Sequence, residues 1–110
     1  MTDNKNHKVA VLGGGSFGTA IANMIATNNY QVVLWLRDKH RAHEIRETGE
    51  NSAYLPGYQL NPKLEVCTDL AQALKEADTV FFAVPSSSFR SLAVQAKPFL
   101  SSDTLVISTA

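Results

Sequence analysis

Short apolar runs alternate along the chain with segments in which apolar residues recur every three or four positions. The short runs have the composition of strands buried on both faces, and the longer segments have the periodicity of helices that bury one face. The runs predict five strands, at residues 8–12, 31–36, 64–67, 79–84 and 104–108. Four helices are predicted between them: one over residues 16–28, one capped by Asp38 that stops near Gly49, one that follows Asp69, and one over residues 86–100.

Strands that alternate with helices imply parallel β-α-β units with right-handed crossovers and helices on both faces of the sheet. The predicted fold class is therefore α/β: a Rossmann-type, doubly wound parallel sheet of about five strands in three α/β/α layers, with strand order 3-2-1-4-5. Ligands of such sheets bind beyond the carboxyl ends of the strands where the order reverses. The expected site therefore lies near Gly13 and Pro85.

Caps and apolar stripes describe the helices further. Asp38 is placed to cap the second helix, and Asp69, with Gln72 three residues later, resembles a capping box. The apolar stripe of the first helix consists of Phe17, Ala20, Ile21, Met24 and Ile25. The stripe of the last helix consists of Phe89, Leu92, Ala93, Ala96 and Leu100.

Length and composition predict one ordinary globular domain over residues 1–110. A formal net charge of zero leaves no electrostatic footprint for nucleic acid or for a membrane surface. Cys67 is the only cysteine, which suits a reducing cytoplasm. The polar residues 1–7 lack the apolar stretch of a secretory signal, and no apolar run approaches the ~20 residues that span a bilayer. We therefore expect a soluble, cytoplasmic protein that binds neither nucleic acid nor membranes.

The strongest chemical signal is a glycine-rich turn with the spacing G-x-G-x-x-G, Gly13-Gly14-Gly15-Ser16-Phe17-Gly18. It follows a predicted strand and opens a predicted helix, the context in which this spacing binds the diphosphate of a dinucleotide. Gly13 would permit the tight turn, Gly15 would let the backbone approach the diphosphate, and Gly18 would let helix and strand pack closely. The free N–H groups at the start of the helix would then hold the anion. A glycine turn that binds nothing is the alternative.

The end of the second strand distinguishes NAD from NADP, because an acidic residue there holds the ribose hydroxyls and an arginine favours the 2′-phosphate. Arg37 follows the strand directly, and a guanidinium suits bidentate phosphate contact. Asp38 stands ~20 residues past the turn, the spacing of an NAD-binding acid, but it is equally placed as a helix cap. We predict NADP as the cofactor, with NAD as the alternative. Arg37 as a merely solvated surface charge is the other interpretation.

Pro85 and Phe89 follow the fourth strand at the expected crevice, and both are predicted cofactor contacts. Phe89 also heads the apolar stripe of the last helix, so a core position fits it equally well. The three histidines show no ligand spacing with cysteine or carboxylates, and no nucleophile–base pair is evident. Neither a metal site nor a catalytic residue is therefore predicted.

Several segments together resemble the cofactor-binding N-terminal domain of the bacterial NAD(P)-dependent glycerol-3-phosphate dehydrogenases. The matching segments are residues 11–20, Val33-Leu34-Trp35-Leu36-Arg37, Asn51 with Tyr54-Leu55-Pro56, Ala83-Val84-Pro85-Ser86 and Leu105-Val106-Ile107-Ser108-Thr109. The glycine turn joined to the Asn-x-x-Tyr-Leu-Pro segment is far more specific than the glycines alone. The resemblance implies that Ser16 and Phe17 bind the cofactor and that Arg37 contacts the 2′-phosphate of NADP. Gly14 is a departure, since the family often has alanine there.

The resemblance further implies hydride transfer between NAD(P)H and dihydroxyacetone phosphate, giving sn-glycerol 3-phosphate for phospholipid synthesis, by a protein expected to form a homodimer. In the family a Lys-Gly pair follows the fifth strand, and a helical domain supplies the remaining catalytic residues. Because the sequence stops at Ala110, we expect a truncated cofactor domain that binds its cofactor weakly and is inactive alone. The alternatives are the cofactor domain of a ketopantoate reductase or a 6-phosphogluconate dehydrogenase-like protein, and a non-catalytic NAD(P)-sensing module.

Overall fold

The computed structural model describes residues 7–108; the predicted ends of the domain, residues 1–6 and 109–110, lie outside the described residues. The strands are β1 (Lys8–Leu12), β2 (Gln31–Trp35), β3 (Glu65–Cys67), β4 (Thr79–Phe82) and β5 (Leu105–Ser108). The helices are α1 (Ser16–Thr27), α2 (Lys39–Thr48), α3 (Leu70–Leu74) and α4 (Ser86–Ala96), and a 3₁₀ helix (Lys97–Phe99) follows α4. Every predicted element is present.

All strand pairs are parallel, and the order across the sheet is β3-β2-β1-β4-β5. The predicted Rossmann-type order is confirmed. β1 lies at the centre, where Val11 is opposite Leu34 of β2 on one side and Phe81 of β4 on the other. The chain moves away from β1 in opposite directions in the two halves of the sheet, so a crevice opens beyond the ends of β1 and β4.

Alternate residues of β1 face two separate cores, one on each side of the sheet. Val9 and Val11 pack with residues of α1 and α2, whereas Ala10 and Leu12 pack with residues of α3 and α4. Because β1 is buried on both faces, its sequence is apolar at four consecutive positions, 9–12, each at most 4% exposed. The double burial explains why this strand was recognisable from composition alone.

The apolar stripe predicted for α1 only partly matches the face that the helix buries: Ile21 and Ile25 are partly buried and pack against the core, but the other three residues are exposed. Phe17 and Met24 are 57% and 58% exposed, and Ala20 is exposed as well. The buried residues of α1 are instead small or polar: Gly18, Thr19, Ala22, Asn23 and Ala26. Small side chains allow the helix to lie close to the sheet, which a face of large residues would prevent.

The last predicted helix, over residues 86–100, is shorter than expected. α4 ends at Ala96, and Lys97–Phe99 forms a 3₁₀ turn. Pro98 explains the change, because it has no N–H to donate and its ring would collide with the carbonyl four residues earlier.

Both predicted aspartate caps are confirmed. Asp38 accepts backbone hydrogen bonds at the start of α2, and Asp69 does so at the start of α3. In a capping box the side chain three residues later, here Gln72, accepts a hydrogen bond from the N–H of the cap residue. At Asp69 that N–H donates instead to the sulfur of Cys67, at 3.3 Å. Gly49, with a φ of +72°, ends α2 where the sequence predicted.

Among residues 7–108 the helices are too short for a bilayer, since the longest, α1, has 12 residues and a span needs ~20. β5 forms one edge of the sheet, and its Leu105 and Val106 are 58% and 45% exposed. The described chain thus leaves apolar surface uncovered along that edge.

Candidate functional site

Gly13 turns the chain sharply at the carboxyl end of β1. Its φ of +125° is readily adopted by glycine and strained for other residues. A Cβ at this position would lie 2.3 Å from the carbonyl oxygen of Ala83, which follows β4. On the other side, the Gly13 N–H donates to the carbonyl of Trp35 at 2.8 Å. The predicted tight turn is confirmed, and it is held between the ends of β2 and β4.

Gly18 and Gly15 are required for different reasons. A Cβ on Gly18 would lie 2.1 Å from the carbonyl oxygen of Gly13 and 3.2 Å from the Cβ of Ala83, so no side chain fits there. A Cβ on Gly15 would meet no protein atom within 4 Å, and the φ of Gly15 is an ordinary −76°. Packing of the protein therefore explains glycine at position 18 but not at position 15. The open space above Gly15 suits a ligand that approaches the backbone.

The amino end of α1 is open to an anion. Gly15 is the N-cap residue and supplies no side-chain cap, and the first turn carries no acidic residue. The first N–H groups of a helix have no acceptor within it, and here no carboxylate of the first turn offsets the positive end of the helix dipole. Ser16 and Phe17 are exposed at this end and line one half of a cleft with Pro85 and Ser86. Such a helix end binds phosphate groups readily.

The second half of the cleft lies beyond the end of β2. Its wall contains five residues that are large or charged, Trp35, Arg37, Asp38, Arg41 and Tyr54. Both halves are lined by Gly15, Ala83, Val84 and Pro85. The two halves therefore adjoin between the start of α1 and the start of α2, and together they suit an elongated ligand with chemically different ends.

Arg37 brings a positive charge to this second half. Its guanidinium carbon lies 5.4 Å from the ring centroid of Trp35. Among residues 7–108 the one ion pair joins Arg41 to Asp38, so Arg37 has no carboxylate partner in the described chain. A guanidinium that rests on an aromatic ring and is not neutralised by a carboxylate is available to an anionic ligand.

Asp38 is engaged at the start of α2. Its Oδ1 accepts hydrogen bonds from the backbone N–H groups of His40 at 2.9 Å and Arg41 at 3.1 Å. Its Oδ2 lies 3.6 Å from the Arg41 guanidinium. The backbone N–H of Arg41 contributes most to holding the pKa of Asp38 below its ordinary value, and the His40 N–H and the Arg41 charge act in the same direction. Of the two interpretations of Asp38, these contacts favour the helix cap.

Pro85 and Phe89 occupy different places, although both follow β4. Pro85 lines both halves of the cleft. The Phe89 ring packs edge-on against Phe82, with centroids 5.1 Å apart, in the core that α3 and α4 share with the sheet. Phe89 lines neither half of the cleft, so its contact with a cofactor stays a prediction, and core packing accounts for its position.

The part of the wall formed by Arg41 and Tyr54 was not predicted from the sequence. Residues 52–57 form turns, and the Tyr54 ring lies 4.5 Å from the Arg41 guanidinium carbon. Arg41 was recognisable only as a nearby charge. Its spacing of three residues from Asp38 on a predicted helix was the available signal, because that spacing places two side chains on one face.

Three comparisons with known proteins agree with this geometry. Residues 8–110 match the family model described as the NAD-dependent glycerol-3-phosphate dehydrogenase N-terminus. The chain is 50% identical over 102 residues to glycerol-3-phosphate dehydrogenase (NAD(P)+) of Teredinibacter turnerae, which covers 93% of this chain and 30% of that protein. The crystal structure of glycerol-3-phosphate dehydrogenase from Coxiella burnetii superposes with a TM-score of 0.87 at 31% identity, covering 93% of this chain and 31% of that chain.

A ketopantoate reductase from Ralstonia eutropha also superposes, with a TM-score of 0.73 at 30% identity over 90% of this chain and 32% of that chain. The chain spans about 30% of the length of the curated relatives it matches. The family model describes only the N-terminal part of these enzymes, and it matches nearly the whole of this chain, residues 8–110. On this match, the chain belongs to the family of N-terminal domains of NAD-dependent glycerol-3-phosphate dehydrogenases.

Proposed function

We propose that the chain is the cofactor-binding domain, over residues 1–110, of an sn-glycerol-3-phosphate dehydrogenase that transfers hydride between NAD(P)H and dihydroxyacetone phosphate. The observation that carries the proposal is the pair of adjoining hollows that lie between the open amino end of α1 and Arg37. One end offers backbone N–H groups and the other offers a cation. This arrangement suits a dinucleotide, because its diphosphate and its adenosine ribose are recognised separately.

The residues proposed to hold the diphosphate belong to the glycine turn and the first turn of α1. Gly13 and Gly18 shape the turn, and Gly15 leaves open the space that the diphosphate would occupy. Ser16 and Phe17 stand beside that space, and Pro85 lines the opposite wall. When bound, the cofactor supplies the hydride, whereas this chain binds and orients it.

NADP is the proposed cofactor, with NAD as a weaker ligand. Arg37 would contact the 2′-phosphate, since its guanidinium lines the second half of the cleft without a carboxylate partner in the described chain. Asp38, the residue that could have held the ribose hydroxyls of NAD, is engaged by the start of α2 and by Arg41. The available cation and the engaged carboxylate both favour a phosphorylated ribose.

The test of this proposal compares NADPH and NADH affinities of the wild type and of Arg37→Ala. Charge-assisted hydrogen bonds contribute roughly 1.5–3 kcal/mol, so NADPH affinity should fall about tenfold or more, while NADH affinity changes less than about twofold. Lys39→Ala is the matched control: it removes one positive charge from the first residue of α2, which does not line the cleft. It should leave both affinities near wild type. An equal loss for both cofactors in Arg37→Ala would refute the role in binding the 2′-phosphate.

No residue of the chain is proposed as a catalytic acid or base, and Phe89 stays a lesser candidate for cofactor contact. We propose that proton transfer and dihydroxyacetone phosphate binding fall to residues outside this segment, in a cytoplasmic homodimer. The 110-residue chain should therefore bind NADPH without oxidising it when dihydroxyacetone phosphate is added. Turnover by that chain contradicts the assignment. A whole polypeptide carrying these residues that reduces ketopantoate and not dihydroxyacetone phosphate would overturn the proposed activity.

A further inference from the structure

Asn51, in the loop after α2, is fully buried against the glycine turn. Its side-chain nitrogen donates one hydrogen bond to the carbonyl oxygen of Gly14 at 2.8 Å and another to the hydroxyl of Thr19 at 2.9 Å. The Thr19 hydroxyl, which is also fully buried, donates to the same Gly14 oxygen at 3.4 Å. Two buried side chains from different parts of the fold thus converge on one carbonyl of the turn.

The anchored carbonyl determines where the next N–H points. The described chain contains no cis peptide bond, and in a trans peptide the C=O of Gly14 and the N–H of Gly15 point in opposite directions. The carbonyl is directed inward, towards Asn51 and Thr19. The N–H of Gly15 is consequently directed away from the interior, on the side where Gly15 lines the cleft.

The contacts of the Asn51 amide determine which of its two polar atoms faces the glycine turn. Its Oδ1 is buried and has no hydrogen-bond partner within residues 7–108. A flipped amide would place that oxygen against the Gly14 carbonyl, an acceptor against an acceptor, so the nitrogen must face the turn. An unpaired buried acceptor is destabilising, but the two hydrogen bonds that the Asn51 nitrogen donates offset part of that cost.

The backbone of Asn51 holds the far half of the cleft. Its carbonyl accepts hydrogen bonds from the N–H of Tyr54 at 3.2 Å and of Leu55 at 2.7 Å. These bonds close the turn whose Tyr54 ring packs on Arg41. A single residue therefore ties the glycine turn to the wall of the adenosine end.

We propose that Asn51 is a positioning residue for cofactor binding: its side chain holds the Gly14–Gly15 peptide so that the Gly15 N–H faces the diphosphate. Asn51 itself touches no ligand, since it is fully buried. The inference rests on the proposed function, because it assigns a diphosphate to the space above Gly15. It goes further in naming the residue that orients the donor.

The experiment compares Asn51→Leu, which removes the amide and keeps a side chain branched at Cγ, with Thr19→Val, which removes the neighbouring hydroxyl and keeps the bond from Asn51 to Gly14. Dissociation constants are measured on the whole polypeptide that carries these residues, for NADPH, for NADH and for adenosine 2′-phosphate, which lacks the diphosphate. Thermal unfolding of each variant serves as the folding control.

Asn51→Leu should weaken NADPH and NADH binding about tenfold or more, the loss of one well-directed hydrogen bond to a charged group. Adenosine 2′-phosphate should bind within about twofold of wild type. Thr19→Val removes only the longer, 3.4 Å hydrogen bond to the Gly14 carbonyl, so it should weaken dinucleotide binding less than Asn51→Leu does. If Asn51→Leu does not fold, the same comparison is made with Asn51→Asp, which keeps the shape and loses both N–H donors.

Three outcomes are decisive. Unchanged dinucleotide affinities in a folded Asn51 variant, whatever its melting temperature, would show that Asn51 is only structural and overturn the inference. An equal loss for all three ligands would overturn it as well, because the effect would not lie at the diphosphate. Failure of the wild type to bind NADPH or NADH would instead overturn the proposed function.

Discussion

The guanidinium carbon of Arg41 lies 4.5 Å from the centroid of the Tyr54 ring, and the same guanidinium lies 3.6 Å from the carboxylate of Asp38. Arg41 therefore joins the first turn of α2 to the loop that follows the helix. This contact shapes the half of the cleft beyond the end of β2, because all three residues line it.

Replacing Tyr54 by leucine should loosen that wall. A cation–π contact at an exposed site contributes roughly 0.5–1 kcal/mol, so NADPH affinity should fall about two- to fivefold. Tyr54→Phe keeps the ring and should bind NADPH within about twofold of wild type. Titration of each variant with NADPH checks the prediction. Equal losses in the two variants would assign the effect to the phenolic hydroxyl and contradict a role for the ring.

The charge of Asp38 should stabilise the fold only above acid pH. Its contacts hold the folded-state pKa below the ordinary value of 3.8, so the stabilisation is complete above that value and disappears as pH falls through the lower folded pKa. Asp38→Asn keeps a good N-cap and removes the charge. The melting temperature of wild type should exceed that of Asp38→Asn at neutral pH, and the difference should shrink below about pH 4. A difference that grows in acid would contradict this assignment.

Much of the fold could be predicted because its strongest signals are local. Four consecutive apolar residues identify β1. Asp38 and Gly49 mark the ends of α2 without reference to distant residues. The buried face of α1 could not be predicted in this way. Thr19 and Asn23 are buried because partners 32 and 38 residues away, Asn51 and Asn61, satisfy their polar atoms. Hydrophobic periodicity does not contain that information.

The residues of the candidate site also differ in whether local sequence or tertiary contacts determine their positions. The glycine turn and Arg37 were predictable, since fixed spacings from a strand end determine their places. Tyr54 and Asn51 reach the cleft and its support only through the path of the loop after α2, which tertiary contacts determine. Phe89 was predicted as a cofactor contact but packs on Phe82, because its position near the start of α4 suits a core residue as well as a site residue.

Gly14 and Leu36 compete for one space, which explains glycine at position 14. A Cβ on Gly14 would lie 2.8 Å from the Cβ of Leu36, and Leu36 is buried. Gly14→Ala alone should destabilise the fold by about 1–3 kcal/mol through overpacking. Leu36→Gly alone should destabilise it by about 2–5 kcal/mol through the cavity it leaves.

The double variant should be more stable than the sum of the single losses predicts, because the new methyl group enters the space that Leu36 vacates. We expect a coupling of about 1 kcal/mol or more in a double-mutant cycle measured by urea unfolding. Additive losses would show that the two positions do not share a space.

Gly15→Ala and Gly18→Ala should impair different properties: Gly18→Ala the stability of the fold, and Gly15→Ala the binding of the cofactor. The Gly18→Ala methyl would meet the Gly13 carbonyl, a backbone atom that cannot move without opening the turn. We expect a loss of about 3 kcal/mol or more in unfolding free energy, seen as a lower urea midpoint. The Gly15→Ala methyl meets no protein atom within 4 Å, and its backbone conformation is ordinary. Alanine is a poorer N-cap than glycine, so stability should fall by no more than about 1 kcal/mol.

Cofactor binding separates the two variants further. The methyl group of Gly15→Ala would stand in the space assigned to the diphosphate, so NADPH and NADH affinities should both fall about tenfold or more in a fully folded protein. Adenosine 2′-phosphate has no diphosphate and should bind to this variant as it does to wild type. Wild-type affinity for NADPH in Gly15→Ala would mean that the diphosphate does not lie over the turn. Glycine at position 15 would then have neither a packing reason nor a binding reason.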